Sequence, residues 1–242
     1  MNVGSITCRM RALLLVSALL LVSVATPVGL AKVAAQDSTI TTRVQVLHAG
    51  TDVGDVEVHL NGEQNLENFS YGEQSDWIEL NPGSVRVTIT AERIGFNYAL
   101  FDTVYPVPAG NDYFLVITDS LILTGVFDTS SSTFQGSRAQ FMHGSVDTPA
   151  VTVTASGTDV ALATELGYSR MSDTSPLPAG AYDIEVALSE TGDVVLTQPG
   201  VQIEENKSYV LVLVGDPNDS DKPLSVAILE TDLKEDSGTP AN

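Results

Sequence analysis

Two histidine–aspartate turns are the residues whose types and spacing most suggest chemistry. His48 precedes Asp52 by four residues, and the same spacing recurs at His143 and Asp147. A histidine beside a carboxylate can transfer protons or bind a metal ion. Strand alternation, however, places both imidazoles on an apolar face, where the ring nitrogens need hydrogen-bond partners. We therefore interpret the four residues as structural corners, in which each aspartate accepts a bond from its histidine or from the turn's own amides.

Groups that would complete a catalytic centre do not accompany these turns. The sequence contains neither a Gly-x-Ser-x-Gly elbow nor a His-Glu-x-x-His pair. The third histidine, His59, points outward in a strand reading. We predict no catalytic residue, no cofactor and no enzyme activity. A hydrolase that uses the two His/Asp pairs is the alternative.

An acidic run near the C-terminus is a weak candidate for a calcium site. Its oxygen-bearing residues are Asp216, Asn218, Asp219 and Asp221. The run resembles the start of a calcium loop, but it lacks the central glycine and the bidentate glutamate of an EF-hand. It also lies between two strand-like stretches, where an acidic hairpin loop is ordinary. We therefore predict no metal site.

Aromatic residues are concentrated in the first half of the chain. Trp77, Phe96, Tyr98 and Phe101 have no aromatic counterparts in the second half, where Thr174 corresponds to Trp77. Aromatic rings that project together can stack on sugars or fill a partner's pocket. The four residues are a candidate ligand platform, and packing within the core or between domains is the competing explanation.

The N-terminal segment has the pattern of a secretory signal. Arg9 and Arg11 precede an apolar run over residues 12–25, and the small residues at 33–35 predict cleavage before Gln36. A retained membrane anchor is the alternative, because residues 12–30 are nearly long enough to span a bilayer. Cys8 precedes the apolar run and is not a lipid anchor; after cleavage the chain has no cysteine for a disulfide or thiolate.

The charge of the chain restricts its partners. The full sequence has 11 basic and 31 acidic residues, for a formal charge of −20. Removal of the predicted signal leaves 8 basic residues and a charge of −23. Nucleic acid and anionic membranes bind basic surfaces. We predict no nucleic-acid partner and no stable membrane insertion after cleavage.

An internal duplication is the strongest pattern in the sequence. The segment 43–52 matches 138–147 at a shift of 95, with arginine, glutamine, histidine and aspartate in register. Further on, Tyr71 matches Tyr168, and residues 113–117 match 209–213. A period of this length indicates a whole domain rather than a short solenoid repeat.

Both copies have the alternation of half-buried β-strands, with turn signals at strand-length intervals. The predicted fold is all-β, with two tandem immunoglobulin- or transthyretin-like sandwiches after the signal peptide. The predicted organisation is a signal at 1–35, an N-terminal linker at 36–42, repeat 1 at 43–128, a linker at 129–137, repeat 2 at 138–232 and a disordered tail at 233–242.

One strand in each copy, at 113–117 and 209–214, is apolar on both faces. A sandwich strand usually buries one face and exposes the other. Either the neighbouring repeat covers the second face or that face mediates self-association. We predict the first.

These residues resemble the secreted repeat family known as domain of unknown function 4397. The resemblance rests on the valine-rich first strand, the turns that begin at His48 and His143, and the Leu-Pro-Ala-Gly-x-Tyr pattern at 177–182. It covers nearly the whole mature chain. The resemblance implies tandem β-sandwiches, a location at bacterial cell surfaces or in the secreted fraction, and no assigned activity.

Taken together, the sequence predicts a secreted or cell-envelope-associated protein that acts as a non-enzymatic binding or structural module. Its expected partner is a surface protein or a glycan of unknown identity. The alternative is a carbohydrate-binding or adhesin-type accessory module that uses the aromatic residues of repeat 1.

Overall fold

The computed structural model describes residues 42–93, 96–130, 136–158 and 161–234. The predicted signal peptide, nearly all of the N-terminal linker and most of the C-terminal tail lie outside these residues. All the described residues belong to one compact unit. No helix in the described part of the chain has the length and apolar character needed to cross a membrane.

Repeat 1 is a sandwich of two four-stranded sheets, with strand orders β4-β1-β7-β8 and β3-β2-β5-β6. Its strands are β1 (Arg43–His48), β2 (Val56–Leu60), β3 (Glu63–Phe69), β4 (Ile78–Glu79), β5 (Gly83–Arg93), β6 (Phe96–Val107), β7 (Asp112–Ile117) and β8 (Ile122–Val126).

Repeat 2 has the same arrangement, with strand orders β12-β9-β15-β16 and β11-β10-β13-β14. Its strands are β9 (Arg138–His143), β10 (Val151–Ala155), β11 (Ala161–Leu166), β12 (Ser175–Pro176), β13 (Gly180–Leu188), β14 (Val194–Ile203), β15 (Lys207–Val214) and β16 (Ser225–Asp232). The duplicated sequence therefore folds twice with one topology, and the all-β prediction is confirmed.

The strand order distinguishes between the two predicted general types of sandwich. In an immunoglobulin sandwich the first two strands share a sheet. Here β1 pairs in parallel with β7, and β9 pairs in parallel with β15, while the second strand of each repeat lies in the other sheet. The topology is therefore of the transthyretin-like type.

Each sandwich has its own core, which follows from the alternation of its strands. In repeat 1 the valines of β2 and β5 and the isoleucine at position 89 are buried between the sheets. The corresponding residues of β10 and β13 form the core of repeat 2. Polar residues between these positions face the solvent, which is the expected pattern for half-buried strands.

A third apolar cluster, here called the seam, joins the two repeats. It contains Leu47, Ala49, Phe114, Val116, Leu123 and Phe127 from repeat 1, and Met142, Val210, Val212, Val214 and Leu229 from repeat 2. Alternate residues of β7 and β15 face the cores, and the residues between them face the seam. The prediction that each two-faced apolar strand is covered by the neighbouring repeat is confirmed.

Polar contacts at the edge of the seam also join the repeats. The Asp112 carboxylate accepts two hydrogen bonds from Arg43, at 3.1 and 3.0 Å, and one from Thr231 of repeat 2 at 2.6 Å. Elsewhere the hydroxyl of Tyr168 lies 2.8 Å from the hydroxyls of Thr118 and Ser120. The two repeats thus share an interface that combines apolar packing with polar contacts.

Candidate functional site: an apolar cleft in repeat 1

The His48 turn is a corner held by main-chain hydrogen bonds. The imidazole is completely buried at the end of β1. Its Nε2 lies 2.8 Å from the carbonyl oxygen of Gly54, and its Nδ1 accepts the amide of Gly50 at 3.1 Å. Since Nδ1 is an acceptor, Nε2 is the protonated nitrogen. Of the two roles predicted for Asp52, a hydrogen bond from the ring does not form, because Asp52 is exposed and both ring nitrogens bond the main chain.

The His143 turn uses the same ring nitrogen in the same way. His143 is buried, and its Nε2 lies 3.0 Å from the carbonyl oxygen of Pro149. Its Nδ1 has no hydrogen-bond partner among the described residues. Asp147 is exposed, so it does not supply the paired carboxylate that a proton-transfer dyad needs.

The buried histidines predict a loss of stability on mild acidification. Burial lowers the pKa of His48 and His143 below the usual histidine value, despite opposing contributions from main-chain hydrogen bonds. The unfolded chain then binds more protons, so the stability from these groups is complete above pH ~6.5 and falls as the pH approaches the folded-state pKa. Urea unfolding at pH 7.5 and 5.5 measures this difference. In a His48→Gln/His143→Gln variant the free energy of unfolding should differ less between the two pH values. A difference equal to that of the unmodified chain would contradict the prediction.

The acidic loop uses its own carboxylates to shape the turn. Asp216 Oδ1 accepts the main-chain amide of Asn218 at 2.7 Å, and Asp219 Oδ1 accepts that of Asp221 at 2.8 Å. Among the described residues no group of three histidine, aspartate or glutamate side chains converges as metal ligands would. The geometry gives the calcium candidate no support.

Trp77 does not belong to an exposed platform with the other aromatic residues. It is half-buried beside the seam, where its ring lies 5.7 Å from that of Phe127. The Arg43 guanidinium covers the ring at 4.2 Å. Trp77 therefore packs against the edge of the seam, as the competing explanation of core or inter-domain packing predicts.

The remaining platform candidates lie on β6, in the sheet farther from the seam. Tyr98 is 40% exposed, whereas Phe101 is half-buried against the core of repeat 1. Phe96 begins the same strand, but its side chain lies outside the described residues. The structure thus separates Trp77 from Tyr98 and Phe101, and Tyr98 is the candidate whose exposed ring is described.

An apolar cavity, here called the edge cleft, opens between the two sheets of repeat 1. It has a volume of about 260 Å³ and lies between the terminal strands β6 and β8. Its inner wall is formed by core residues that include Val44, Leu60, Val85, Val87 and Leu115, and its rim includes Tyr105, Thr124 and Val126.

The rim consists of residues that face inward but remain exposed. Residues directly opposite each other in a strand pair project to the same face of the sheet. Thr124 is opposite the buried Leu115, and Val126 is opposite Tyr113, which packs on the core. Thr124 is nevertheless exposed, and Val126 is 41% exposed. The sandwich is therefore open along this edge.

Repeat 2 fills the corresponding space. By strand register, Tyr182 occupies the position of Val85, and Ile228 occupies that of Thr124. Tyr182 is buried and donates a hydrogen bond from its hydroxyl to the Pro178 carbonyl at 2.8 Å. Ile228 packs on the core, and strands β14 and β16 contact each other. This edge of the sandwich is thus open in repeat 1 and closed in repeat 2.

The chemistry available in the cleft is that of apolar contact. The Tyr113 hydroxyl at one end is engaged with the Pro108 carbonyl at 3.0 Å. Burial raises the pKa of Tyr105, so its hydroxyl stays protonated near neutral pH. The described rim contributes hydroxyls and methyl groups, which suit recognition of an apolar group. A sequence comparison of Val85 with Tyr182 and of Thr124 with Ile228 could have revealed this site.

Filling the edge cleft with the residues of repeat 2 should stabilise the protein. We expect Val85→Tyr/Thr124→Ile to raise the free energy of unfolding by about 0.5–2 kcal/mol, as cavity-filling substitutions do. Thermal and urea unfolding measure the change. The reciprocal variant, Tyr182→Val/Ile228→Thr, should lose stability because it opens a packed core. A loss of stability in the filled variant would contradict an open cleft.

Fold and site define the chain as a tandem β-sandwich protein with an apolar cleft in one of its two copies. The model of the family described as "Domain of unknown function (DUF4397)" matches residues 42–154 and again residues 137–241. The chain therefore belongs to this family and carries two tandem copies of its domain. The resemblance drawn from the turns and the glycine pattern is confirmed.

No curated protein matches the chain in sequence. Among solved structures, the chain is similar to the fimbrial anchor protein Mfa2 from Porphyromonas gingivalis at 11% identity and a TM-score of 0.21. The match covers 79% of this chain and 98% of that one. A superposition this loose carries no argument about fold or function.

Proposed function

We propose that the protein is a non-enzymatic binding module of the cell surface or envelope, which holds a partner protein through the edge cleft of repeat 1. The observation that carries the proposal is the difference between the copies. Tyr182 and Ile228 close the sandwich edge in repeat 2, while Val85 and Thr124 leave it open in repeat 1. An exposed apolar cavity of this kind reduces stability, and ligand binding is a reason for a protein to retain one.

The size of the cleft favours side chains of a protein over a complete small ligand. Pockets for small molecules usually measure about 300–1,000 Å³ and include several converging polar groups. The edge cleft has about 260 Å³ and an apolar wall. Large apolar side chains that enter such cavities provide much of the binding energy of protein interfaces.

Repeat 2 has a supporting role in this proposal. Its strands β9, β15 and β16 cover the outer face of the sheet that carries β8. The seam thereby fixes one wall of the cleft. The predicted signal at 1–35 and the family resemblance support an exported location, and the formal charge of −20 agrees with a protein that does not bind nucleic acid.

Site-specific photo-crosslinking in the native cells tests the proposal. A photoreactive residue at Val126, on the rim, should yield a discrete protein adduct that disappears in the Val85→Tyr/Thr124→Ile background. The matched control is Val194, an equally apolar residue that is 50% exposed on β14 of repeat 2. Identical adducts from both positions, or an adduct that survives cleft filling, would contradict the proposal.

The carbohydrate and hydrolase alternatives have their own tests. The carbohydrate alternative now depends on Tyr98 and the neighbouring strand β6, because Trp77 lies against the seam. Binding on a glycan array that is lost in Tyr98→Ala would favour it. Turnover in a broad substrate screen that is lost in His48→Ala would favour a hydrolase.

A further inference from the structure

We infer that the partner is held as an extended segment that adds to β8 as a new outer strand, with alternate apolar side chains in the edge cleft and basic residues between them. This inference rests on the proposed function and specifies the partner of the same site. Three features support it, namely the edge of β8, which no other described strand pairs with, the protected edge of β16 in repeat 2 and the charge of the chain.

The hydrogen-bond pattern of β8 determines which main-chain groups are free. In an antiparallel pair, hydrogen-bonded and non-hydrogen-bonded residue pairs alternate. The Phe127 amide donates to the Asp112 carbonyl at 2.9 Å, and the Thr118 amide donates to the Leu121 carbonyl at 3.0 Å. Both bonds place odd-numbered residues of the β8 segment in hydrogen-bonded pairs, so the two ends of the strand agree on the pattern.

This pattern leaves Thr124 with its main-chain groups directed away from β7. Gly125 and Leu123 belong to the hydrogen-bonded pairs, whereas Thr124 and Val126 belong to the pairs between them. Because β8 is the last strand of its sheet among the described residues, the amides and carbonyls of Thr124 and Val126 face the open edge. An added strand can bond these groups, as in other cases of β-augmentation.

The same edge also presents the cleft to alternate residues of an added strand. Thr124 and Val126 project toward the cleft, so an added strand in register with them projects every second side chain to the same side. Two or three apolar side chains two residues apart would therefore reach the cavity together. The main chain of the partner provides affinity, and the cavity selects its side chains.

Repeat 2 carries at the equivalent edge, on β16, a device by which proteins prevent strand addition. Glu230 occupies the position of Val126 and places a charge on the inward side of β16, where Lys207 lies 2.5 Å away. Inward charges, prolines and bulges protect exposed edges. The β8 edge of repeat 1 can therefore accept a strand, whereas the equivalent β16 edge of repeat 2 is protected.

Charge decides between a foreign segment and a second copy of the chain. Two copies would bring together two chains with a formal charge of −20 each, which repel one another. A segment with lysine or arginine at alternate positions is instead attracted by the net negative charge of the chain. The occupant is therefore a basic, extended segment of another protein.

A synthetic peptide tests the inference directly. The probe is a nine-residue peptide that alternates valine and lysine, with capped ends, and binding to the purified chain is followed by fluorescence anisotropy. We expect saturable binding that weakens at least tenfold in Thr124→Pro, since proline removes the amide at the edge and leaves the β7–β8 bonds intact. Glu230→Pro, at an edge-facing position of β16, is the matched control and should bind as the unmodified chain does. Circular dichroism verifies that both variants fold.

Two further measurements separate the inference from the proposed function. A peptide N-methylated at alternate residues should also lose at least tenfold in affinity, and a peptide of the same composition in block order should not bind. One outcome is that Val85→Tyr/Thr124→Ile abolishes binding while Thr124→Pro and N-methylation do not. In that outcome the cleft binds side chains without an added strand, so the inference is wrong and the proposed function stands. If none of the variants changes the affinity, both fail. A dimer in sedimentation analysis that Thr124→Pro dissociates would overturn the foreign partner in favour of a second copy.

Discussion

Replacing Phe114 with alanine is expected to lower the free energy of unfolding by about 3–5 kcal/mol, the range for large-to-small substitutions of buried phenylalanine. Phe114 is 1% exposed and occupies the middle of the seam. Its ring meets that of Phe127 edge-on at 5.4 Å. The substitution removes these contacts and leaves a cavity between two bodies that rely on the seam to cover β7 and β15.

The contact of Phe114 with Gly125 makes this prediction specific. A Cβ atom added at Gly125 would overlap the Phe114 ring, so Gly125→Ala should destabilise the chain on its own. With Phe114→Ala already present, the added methyl group enters vacated space and should cost much less. Urea unfolding of the two single variants and the double variant measures this coupling. Additive losses would contradict the contact; Tyr98→Ala, at an exposed aromatic residue, is the control.

Asp112→Ala should have the second-largest effect, about 2–3 kcal/mol. The Asp112 carboxylate is buried and accepts bonds from Arg43 and Thr231. Loss of one partner of a fully buried ion pair costs ~3–5 kcal/mol. The value here is smaller because the Arg43 side chain is 30% exposed and can recover hydration.

The pH dependence of this variant provides a second measurement. Burial would raise the pKa of Asp112, but the hydrogen bonds from Arg43 and Thr231 and the charge of Lys234 outweigh it and hold the pKa below the usual value. The stability from Asp112 is therefore present above pH ~4 and is lost as the pH falls through the folded-state pKa. The difference between Asp112→Ala and the unmodified chain should narrow in acid. Asp102→Ala, which breaks the exposed pair with Arg86, is the matched control and should change stability little.

The architecture could be predicted because it depends on patterns that recur along the chain. Alternating apolar residues and a second copy in register predicted strands, sandwiches and duplication, and the structure repeats β1–β8 as β9–β16. The apolar runs at 113–117 and 209–214 predicted a covered outer face, which is the seam. The face of a sheet that a residue occupies follows from its alternate position along the strand, which is a local property that the sequence alone predicts.

The site was harder to predict because it depends on distances across the fold. Asp52 follows His48 closely in sequence, yet Gly54 and Gly50 provide the bonds because the turn directs their main-chain groups at the ring. Trp77 and Tyr98 lie in the same repeat but near different sheets. The edge cleft consists of residues that are individually ordinary, and only the pairing of strands shows that Val85 and Thr124 leave a space.

The composition of the seam bears on how such a chain could arise. Equivalent positions of the two copies, such as Leu47 with Met142 and Val116 with Val212, lie on its two sides. An ancestral chain with one repeat could therefore have buried the same face by forming a two-fold symmetric dimer. Fusion of two such genes would make that association permanent and independent of concentration. It would also release the halves from identical selection, so that one could keep a sealed edge while the other diverged toward recognition.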